Sequence, residues 1–331
     1  MNVLVTGGAG YIGSHTAKAL QRAGHRVTIF DNLSAGHREA ALGAPLVEGD
    51  VRDVDAVRRA IRDSSATAVA HFAAWLAVAD SVRDPIGYYR NNVQGALATL
   101  EAMASEGCQQ FVFSSTCAVY GEPEKTPLVE SHPTGPVNAY GETKLAVERA
   151  LPHFERAYGI RSISLRYFNA AGADPVGDLG EDHAPEIHLI PRAIDAARGG
   201  PPVEIFGEDY PTPDGTCLRD YVHVNDLATA HVLGLDRLSA GGSSAIYNLG
   251  TERPASVRDV IATVERVVRQ KVAVRSAPRR TGDPAVLFAS ARLIREELGW
   301  TPRRPALETI VSDAWRWHST HPLGFSGQVV R

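Results

Sequence analysis

Residues 2–13 constrain this chain more than any other stretch: an apolar run, NVLVT, leads straight into GGAGYIG. A short apolar run, a cluster of glycines and a helical pattern reading on to residue 24 spell strand, tight turn and helix. Gly8, Gly10 and Gly13 fit G-x-G-x-x-G, and Gly7, Gly10 and Gly13 fit a G-x-x-G-x-x-G variant. Glycine accepts positive φ in such a turn, and its missing Cβ lets a pyrophosphate reach the backbone. The helix that follows presents free N–H groups and a partial positive charge to phosphate. An ordinary Gly-rich turn looks the same in isolation, so the next strand decides. That strand, 26–30 (RVTIF), ends at Asp31, 18 residues after Gly13. A carboxylate there accepts hydrogen bonds from the adenosine ribose and repels a 2′-phosphate, and no Arg adjoins it. The expected cofactor is NAD, not NADP. Asp50, in EGDVRD after a third strand, is placed by this reading near the adenine edge, with a turn-capping role as the alternative.

The alternation continues. Strands are expected at 68–72, 110–114 and 161–166, with helices at 53–62, 85–106 and 139–158. This is the pattern of a parallel sheet covered on both faces. After residue 169 the texture loosens: 174–185 and 206–215 are rich in Gly, Pro and Asp, and helical patterns return at 223–238 and 256–269. The expected fold is α/β, a Rossmann-type doubly wound parallel sheet (1–169) with a smaller C-terminal α/β substrate-binding lobe (170–331).

Composition narrows the classes. Of 331 residues 44% are apolar and 22% charged, as in a soluble globular protein, and a net charge of -4 gives nucleic acid no purchase. No apolar run approaches the roughly 20 residues of a membrane span, and the N-terminus lacks a charged leader and cleavage site. Cys108, Cys117 and Cys217 are odd in number and form no C-x-x-C pair. Neither a disulfide framework nor a metal site is expected, and a reducing cytoplasm fits.

Chemistry enters at AYGETK, residues 139–144. On a helix Tyr140 and Lys144 stand one turn apart on one face. A phenol is a poor base at neutral pH, with a pKa of about 10, but a nearby ammonium and a cationic nicotinamide both favour the phenolate. Bringing it to neutrality requires a shift of roughly 3 units, about 4 kcal/mol. Tyr140 then takes a proton from a hydroxyl whose carbon gives up a hydride. Y-x-x-x-K alone is weak. It gains weight from FVFSSTCAVYG, where Ser114, Ser115 and Thr116 sit at the C-terminal end of a strand, the edge at which open α/β sheets bind ligands. Without the Tyr and Lys, Thr116 reads as a turn or cap residue.

TGGAGYIGSH, FDNLS, EGD, HFAA, YYRNNVQG, FSSTCAVYG, AYGETK, LRYFNAAGA, FGEDYPTPDGTCLRDYVHV, YNLG and APRRTGD resemble, in this order, the UDP-glucose 4-epimerase family of extended short-chain dehydrogenase/reductases. The resemblance runs from residue 3 to about 321. It implies a UDP-sugar substrate and an NAD kept through the cycle: C4 of the hexose is oxidised to a ketone, the sugar turns over, and the hydride returns to the other face. It assigns Thr116, Tyr140 and Lys144 to catalysis. For NAD it implies contacts from Gly7, Gly10, Tyr11, Ile12, Gly13, Asp31, Asn32, Asp50, Val51, Phe72, Ala73, Ala74, Asn91, Ser114 and Tyr167 besides Tyr140 and Lys144. For the UDP-sugar it implies Phe168, Asn169, His188, Leu189, Phe206, Arg219, Tyr221, Val257, Arg280 and Asp283, with Thr116 and Tyr140. It also implies a homodimer through helices 85–106 and 139–158, and later segments that return to the first lobe.

Three positions depart from the family pattern. Leu76 stands where many members have Lys, His188 where an Asn is common, and Leu287 where residue size is linked to acceptance of N-acetylated sugars. Cys117 and Ala118 occupy the places of the acid pair that related dehydratases carry after the Thr, which argues against dehydration. A decarboxylase, an epimerase of N-acetylhexosamines, pentoses or uronates, and a non-catalytic NAD-binding regulator are the remaining alternatives.

Overall fold

The computed structural model describes residues 1–280 and 283–327; Thr281 and Gly282 of the APRRTGD segment lie outside the described residues. The first lobe runs β1 (Asn2–Thr6), α1 (Tyr11–Arg22), β2 (Arg26–Asp31), β3 (Leu46–Glu48), α2 (Val54–Ser64), β4 (Ala68–His71), α3 (Val78–Arg83), α4 (Pro85–Tyr88), α5 (Gly95–Glu106), β5 (Gln110–Ser114), α6 (Ala139–Tyr158) and β6 (Arg161–Arg166). The chain goes on through β7 (Asn169–Ala171), α7 (Leu189–Ala197), β8 (Val203–Phe206), β9 (Leu218–Arg219), β10 (Tyr221–His223), α8 (Val224–Ser239) and β11 (Ala245–Asn248). It closes with β12 (Ala255–Ser256), α9 (Val257–Val268), β13 (Val274–Ala277), β14 (Val286–Leu287), α10 (Arg292–Leu298) and α11 (Leu307–Thr320).

Seven parallel strands form the main sheet in the order β3-β2-β1-β4-β5-β6-β11. Its inner strands are apolar along their length because helices cover both faces: Leu4, Val5, Val69, Ala70, Phe111 and Val112 are fully buried. Strand order reverses beside β1, whose neighbours are β2 and β4, and a crevice opens there at the C-terminal edge. The Gly-rich turn leaves β1 at that point.

The chain does not divide cleanly near residue 170. α8 packs on α1, β5 and β6, and β11 extends the first sheet; Leu227, Leu235, Tyr247 and Trp300 share one core with Val3, Val5 and Ile29. The second lobe is built from three small sheets, β7 with β10, β8 with β13, and β9 with β12 and β14, packed with α7, α9 and α11. Ile190, Ile194, Ile205, Val260, Val264 and Ile310 fill its core.

The single helix expected over 85–106 is interrupted. Tyr89–Gln94 forms a π-helical turn between α4 and α5. Such wide turns shift the register of side chains and recur at functional sites, and this one carries Asn91.

Candidate active site

A cleft of about 1250 Å³ runs between the C-terminal edge of the main sheet and the second lobe. On the first-lobe side it is lined by Gly7, Gly10, Tyr11, Ile12, Gly13, Asp31, Asn32, Val51, Phe72, Ala73, Ala74 and Asn91. The turn needs its glycines. Gly7 has φ +69°, and a Cβ on it would lie 2.5 Å from Ala73 N; on Gly13 a Cβ would lie 2.2 Å from Gly7 O. Gly10 is different, because a Cβ there meets only Gly7 O at 3.4 Å and otherwise projects into free space. Gly10 is also the N-cap of α1 and provides no side-chain cap. The first N–H groups of the helix therefore have the space and the free donors that a pyrophosphate requires.

Asp31 is buried at the end of β2. Its two oxygens accept from Ala9 N at 3.0 Å and Leu33 N at 2.9 Å, leaving further lone pairs for a ribose. Burial pushes its pKa up, and the backbone donors oppose that shift. Asp50 does not line the cleft. Its carboxylate is taken by Arg52, with Nε at 2.9 Å and Arg52 N also at 2.9 Å, and that bonding holds its pKa down. Of the residues assigned to the cofactor from sequence, it is the one the fold leaves outside the cleft.

Thr116, Tyr140 and Lys144 meet on one wall with Ser114 and Tyr167. Asn138 caps α6 by accepting from Gly141 N at 2.9 Å, which sets Tyr140 in the first turn and Lys144 one turn on. Thr116 caps the short helical turn after β5, its hydroxyl accepting from Ala118 N at 3.1 Å. Ser114 Oγ and the Tyr167 hydroxyl are 2.5 Å apart.

Lys144 is buried, donates to Ser114 O at 2.8 Å and lies 4.9 Å from the Phe113 ring centre. Burial pushes its ammonium down to about 7, against the pull of Glu148. Burial pushes the Tyr140 phenol up to about 12, and a hydrogen bond with Thr116 only partly offsets this. In the protein alone, burial thus sets the direction of the Tyr140 shift, opposite to the one that base chemistry requires. Beneath the pair lies a buried network. Glu148 accepts from Ser115 Oγ at 2.6 Å and pairs with Arg166 at 2.5 Å, and Arg166 reaches the Tyr120 hydroxyl at 2.8 Å.

The opposite wall carries Phe168, Asn169, His188, Leu189, Phe206, Arg219, Tyr221, Val257, Arg280 and Asp283, all assigned to substrate from sequence. The Arg280 guanidinium stacks 3.8 Å from the Phe206 ring centre. Arg219 pairs with Asp283 and donates to Leu218 O at 2.8 Å. Asn169 donates to Asp220 O at 3.1 Å. Sequence reasoning missed Arg192, Trp75 and His183, which also line the cleft. Arg192 stands one turn after His188 on α7, and that spacing in HLIPR was the available signal.

A model of the NAD dependent epimerase/dehydratase family matches residues 3–250, most of the chain. The chain belongs to this family. Among curated members, the UDP-glucose 4-epimerase of Halalkalibacterium halodurans is 48% identical over 327 residues, 98% of each chain. The crystal structure of UDP-glucose 4-epimerase from Brucella ovis in complex with NAD superposes with a TM-score of 0.93 at 46% identity, covering 96% of this chain and 98% of that one. The Bifidobacterium longum enzyme in complex with NAD+ and UDP gives a TM-score of 0.92 at 36% identity, covering 98% of this chain and all of the other. The resemblance places the acid pair of related dehydratases at the two positions after Thr116. Cys117 is buried with its thiol pushed well up by desolvation, and Ala118 has nothing to ionise. No acid pair stands there, and the wall is that of an epimerase.

Proposed function

We propose that the chain interconverts UDP-galactose and UDP-glucose by NAD-dependent epimerisation at C4. The observation that carries this reading is one cleft lined by an uncapped helix N-terminus and Asp31, by Thr116, Tyr140 and Lys144, and by Arg219 and Arg280. NAD supplies a hydride acceptor that returns the hydride within the same cycle. Tyr140 accepts the proton of the C4 hydroxyl and gives it back. Thr116 holds the reacting oxygen through its hydroxyl, and Lys144 supplies positive charge beneath. Arg219 and Arg280 grip the diphosphate, for which planar multidentate donors are suited. The mechanism requires the nucleotide to be anchored and the hexose to be held loosely, so that the sugar can present either face. Leu287 lines the cleft and lies in size between the aromatics that the resemblance links to exclusion of N-acetylated sugars and the small residues it links to their acceptance.

The test mixes purified protein with UDP-galactose and follows UDP-glucose by chromatography, with N-acetylated, pentose and uronate analogues in parallel. Conversion of the hexose at the highest kcat/KM is expected. No conversion of any sugar would sink the reading, and a better rate on an analogue would move the specificity to it.

A homodimer through 85–106 and 139–158 is part of the proposal, supported by the exposure of Ile86, Tyr89, Leu97 and Tyr158 on these elements. Light scattering that gives a monomer mass would remove it. A cytoplasmic location is supported by three free, buried cysteines.

A further inference from the structure

Between β7 and α7 the chain reads E-D-H-A-P-E-I-H, residues 181–188. Folding brings one donor atom from each of Glu181, His183, Glu186 and His188 within 4.8 Å of one another. Glu181 is 3% exposed, and its Oε1, His183 Nδ1 and His188 Nδ1 are buried atoms without a hydrogen-bond partner. They nevertheless converge. Glu181 Oε1 lies 2.5 Å from His188 Nδ1 and 3.3 Å from His183 Nδ1. Glu186 stands 3.5 Å from His188 Nδ1 through Oε1 and 3.7 Å from His183 Nδ1 through Oε2. In the protein alone these are ion-pair separations, and the two carboxylates hold both imidazoles above their usual range despite burial; the four donor groups nevertheless converge on one small volume.

The surroundings fix the donors in place. Glu186 Oε1 accepts from Ile187 N at 2.7 Å and His188 N at 2.8 Å, which orients its carboxylate. His188 is the N-cap of α7, and the His183 ring meets the edge of Tyr11 with centres 6.3 Å apart. A tetrahedral ion with bonds of 2.0–2.1 Å spaces its ligand atoms about 3.3 Å apart; the 3.3 Å and 3.5 Å separations are close to that, and the 2.5 Å approach of Glu181 to His188 must open to admit the ion. Two imidazoles and two carboxylates are a donor set for zinc-class ions, whereas calcium and magnesium require more oxygens than the loop provides. Two carboxylate charges balance a divalent cation.

We propose that Glu181, His183, Glu186 and His188 bind one divalent transition-metal ion of the zinc class on the cleft wall. The ion ties the 181–188 loop to the start of α7, and so positions His188 and Arg192 for the ligand side of the cleft. E-x-H-x-x-E-x-H matches no common zinc spacing, so the sequence alone marked no metal here. The inference does not depend on which sugar the cleft accepts.

The experiment uses the full chain without an affinity tag, stripped with chelator, then loaded with Zn2+ or Co2+ and gel-filtered. We expect about one Zn2+ per chain by mass spectrometry of the metal, and visible absorption from four-coordinate Co2+. Glu181→Gln and His183→Ala should each reduce retained zinc at least tenfold, with folding checked by circular dichroism. A wild-type chain that retains no zinc after gel filtration overturns the proposal, and would make the cluster a set of ion pairs. Folded variants that retain as much zinc as wild type overturn it too. Should both variants fail to fold, the Co2+ spectrum of the wild type decides: six-coordinate, weak absorption counts against the site.

Discussion

Tyr140 is the clearest case of a residue whose chemistry is incomplete in the protein by itself. Desolvation pushes its phenol up to about 12 and the ammonium of Lys144 down to about 7. Both shifts have one cause, the dry floor of the cleft, and both oppose a phenolate–ammonium pair. A bound cationic nicotinamide would oppose the first, and we expect the cofactor to strengthen the base that it needs. Tyr140→Phe removes the proton acceptor and little else. Turnover should fall by about 10²–10⁴-fold while NAD stays bound; rates near wild type in a coupled assay would refute the assignment. Asp31 calls for a different readout. Asp31→Ala leaves Ala9 N and Leu33 N without their acceptors, which costs about 1–3 kcal/mol for each buried donor. Lost stability therefore proves nothing about the ribose. The ratio of NADP to NAD affinity does, and it should rise; an unchanged ratio in calorimetric titrations would remove Asp31 from the ribose contact.

Elements show what made the sequence readable. β1, β5 and β6 announced themselves because both of their faces are buried, which leaves uninterrupted apolar runs. The Gly-rich turn was legible for a steric reason that can be tested. Gly13→Ala puts a Cβ 2.2 Å from Gly7 O, so the turn must open, and NAD retention through gel filtration should drop with the fold otherwise intact by circular dichroism. Retained cofactor would mean that α1 yields without cost. β11 was not legible, since AIYN is four residues long and follows a polar GGSS stretch. Nor was the π-helical turn at Tyr89–Gln94, because a helical period in 85–106 says nothing of where one extra residue is inserted. The Asp50 carboxylate is held locally by Arg52, two residues on, a pairing already written in EGDVRD. The second-lobe contacts became visible only through family resemblance, since Arg219, Arg280 and Asp283 come together from β9 and the segment between β13 and β14 and carry no local pattern.

At the scale of the whole molecule, three histidines stand where layers meet. His15 on α1, His71 in β4 and His231 on α8 are all buried. Each uses Nδ1 in one contact, with Tyr11 O at 2.7 Å, Thr6 Oγ1 at 2.8 Å and Leu227 O at 2.8 Å, and each leaves Nε2 without a partner. Burial holds them neutral, His15 and His231 at about 4 and His71 at about 3, the last helped by the charge of Lys144. Their folded values lie below the unfolded value of about 6.5, so on acidification the unfolded chain takes up protons that the folded chain refuses. The stability they contribute is complete above about pH 6.5 and is lost as pH falls toward 4. At pH 5 each group removes on the order of 2 kcal/mol. His231→Leu isolates the effect. Its ring packs against Phe72, with centres 4.7 Å apart, so Leu keeps an apolar neighbour there and drops the unpartnered Nε2. Unfolding in urea at pH 7.5 should show the variant as stable as wild type or slightly more so, and at pH 5 clearly more stable. Equal losses of stability between the two pH values in variant and wild type would show that His231 is protonated in the fold, and that acid acts elsewhere.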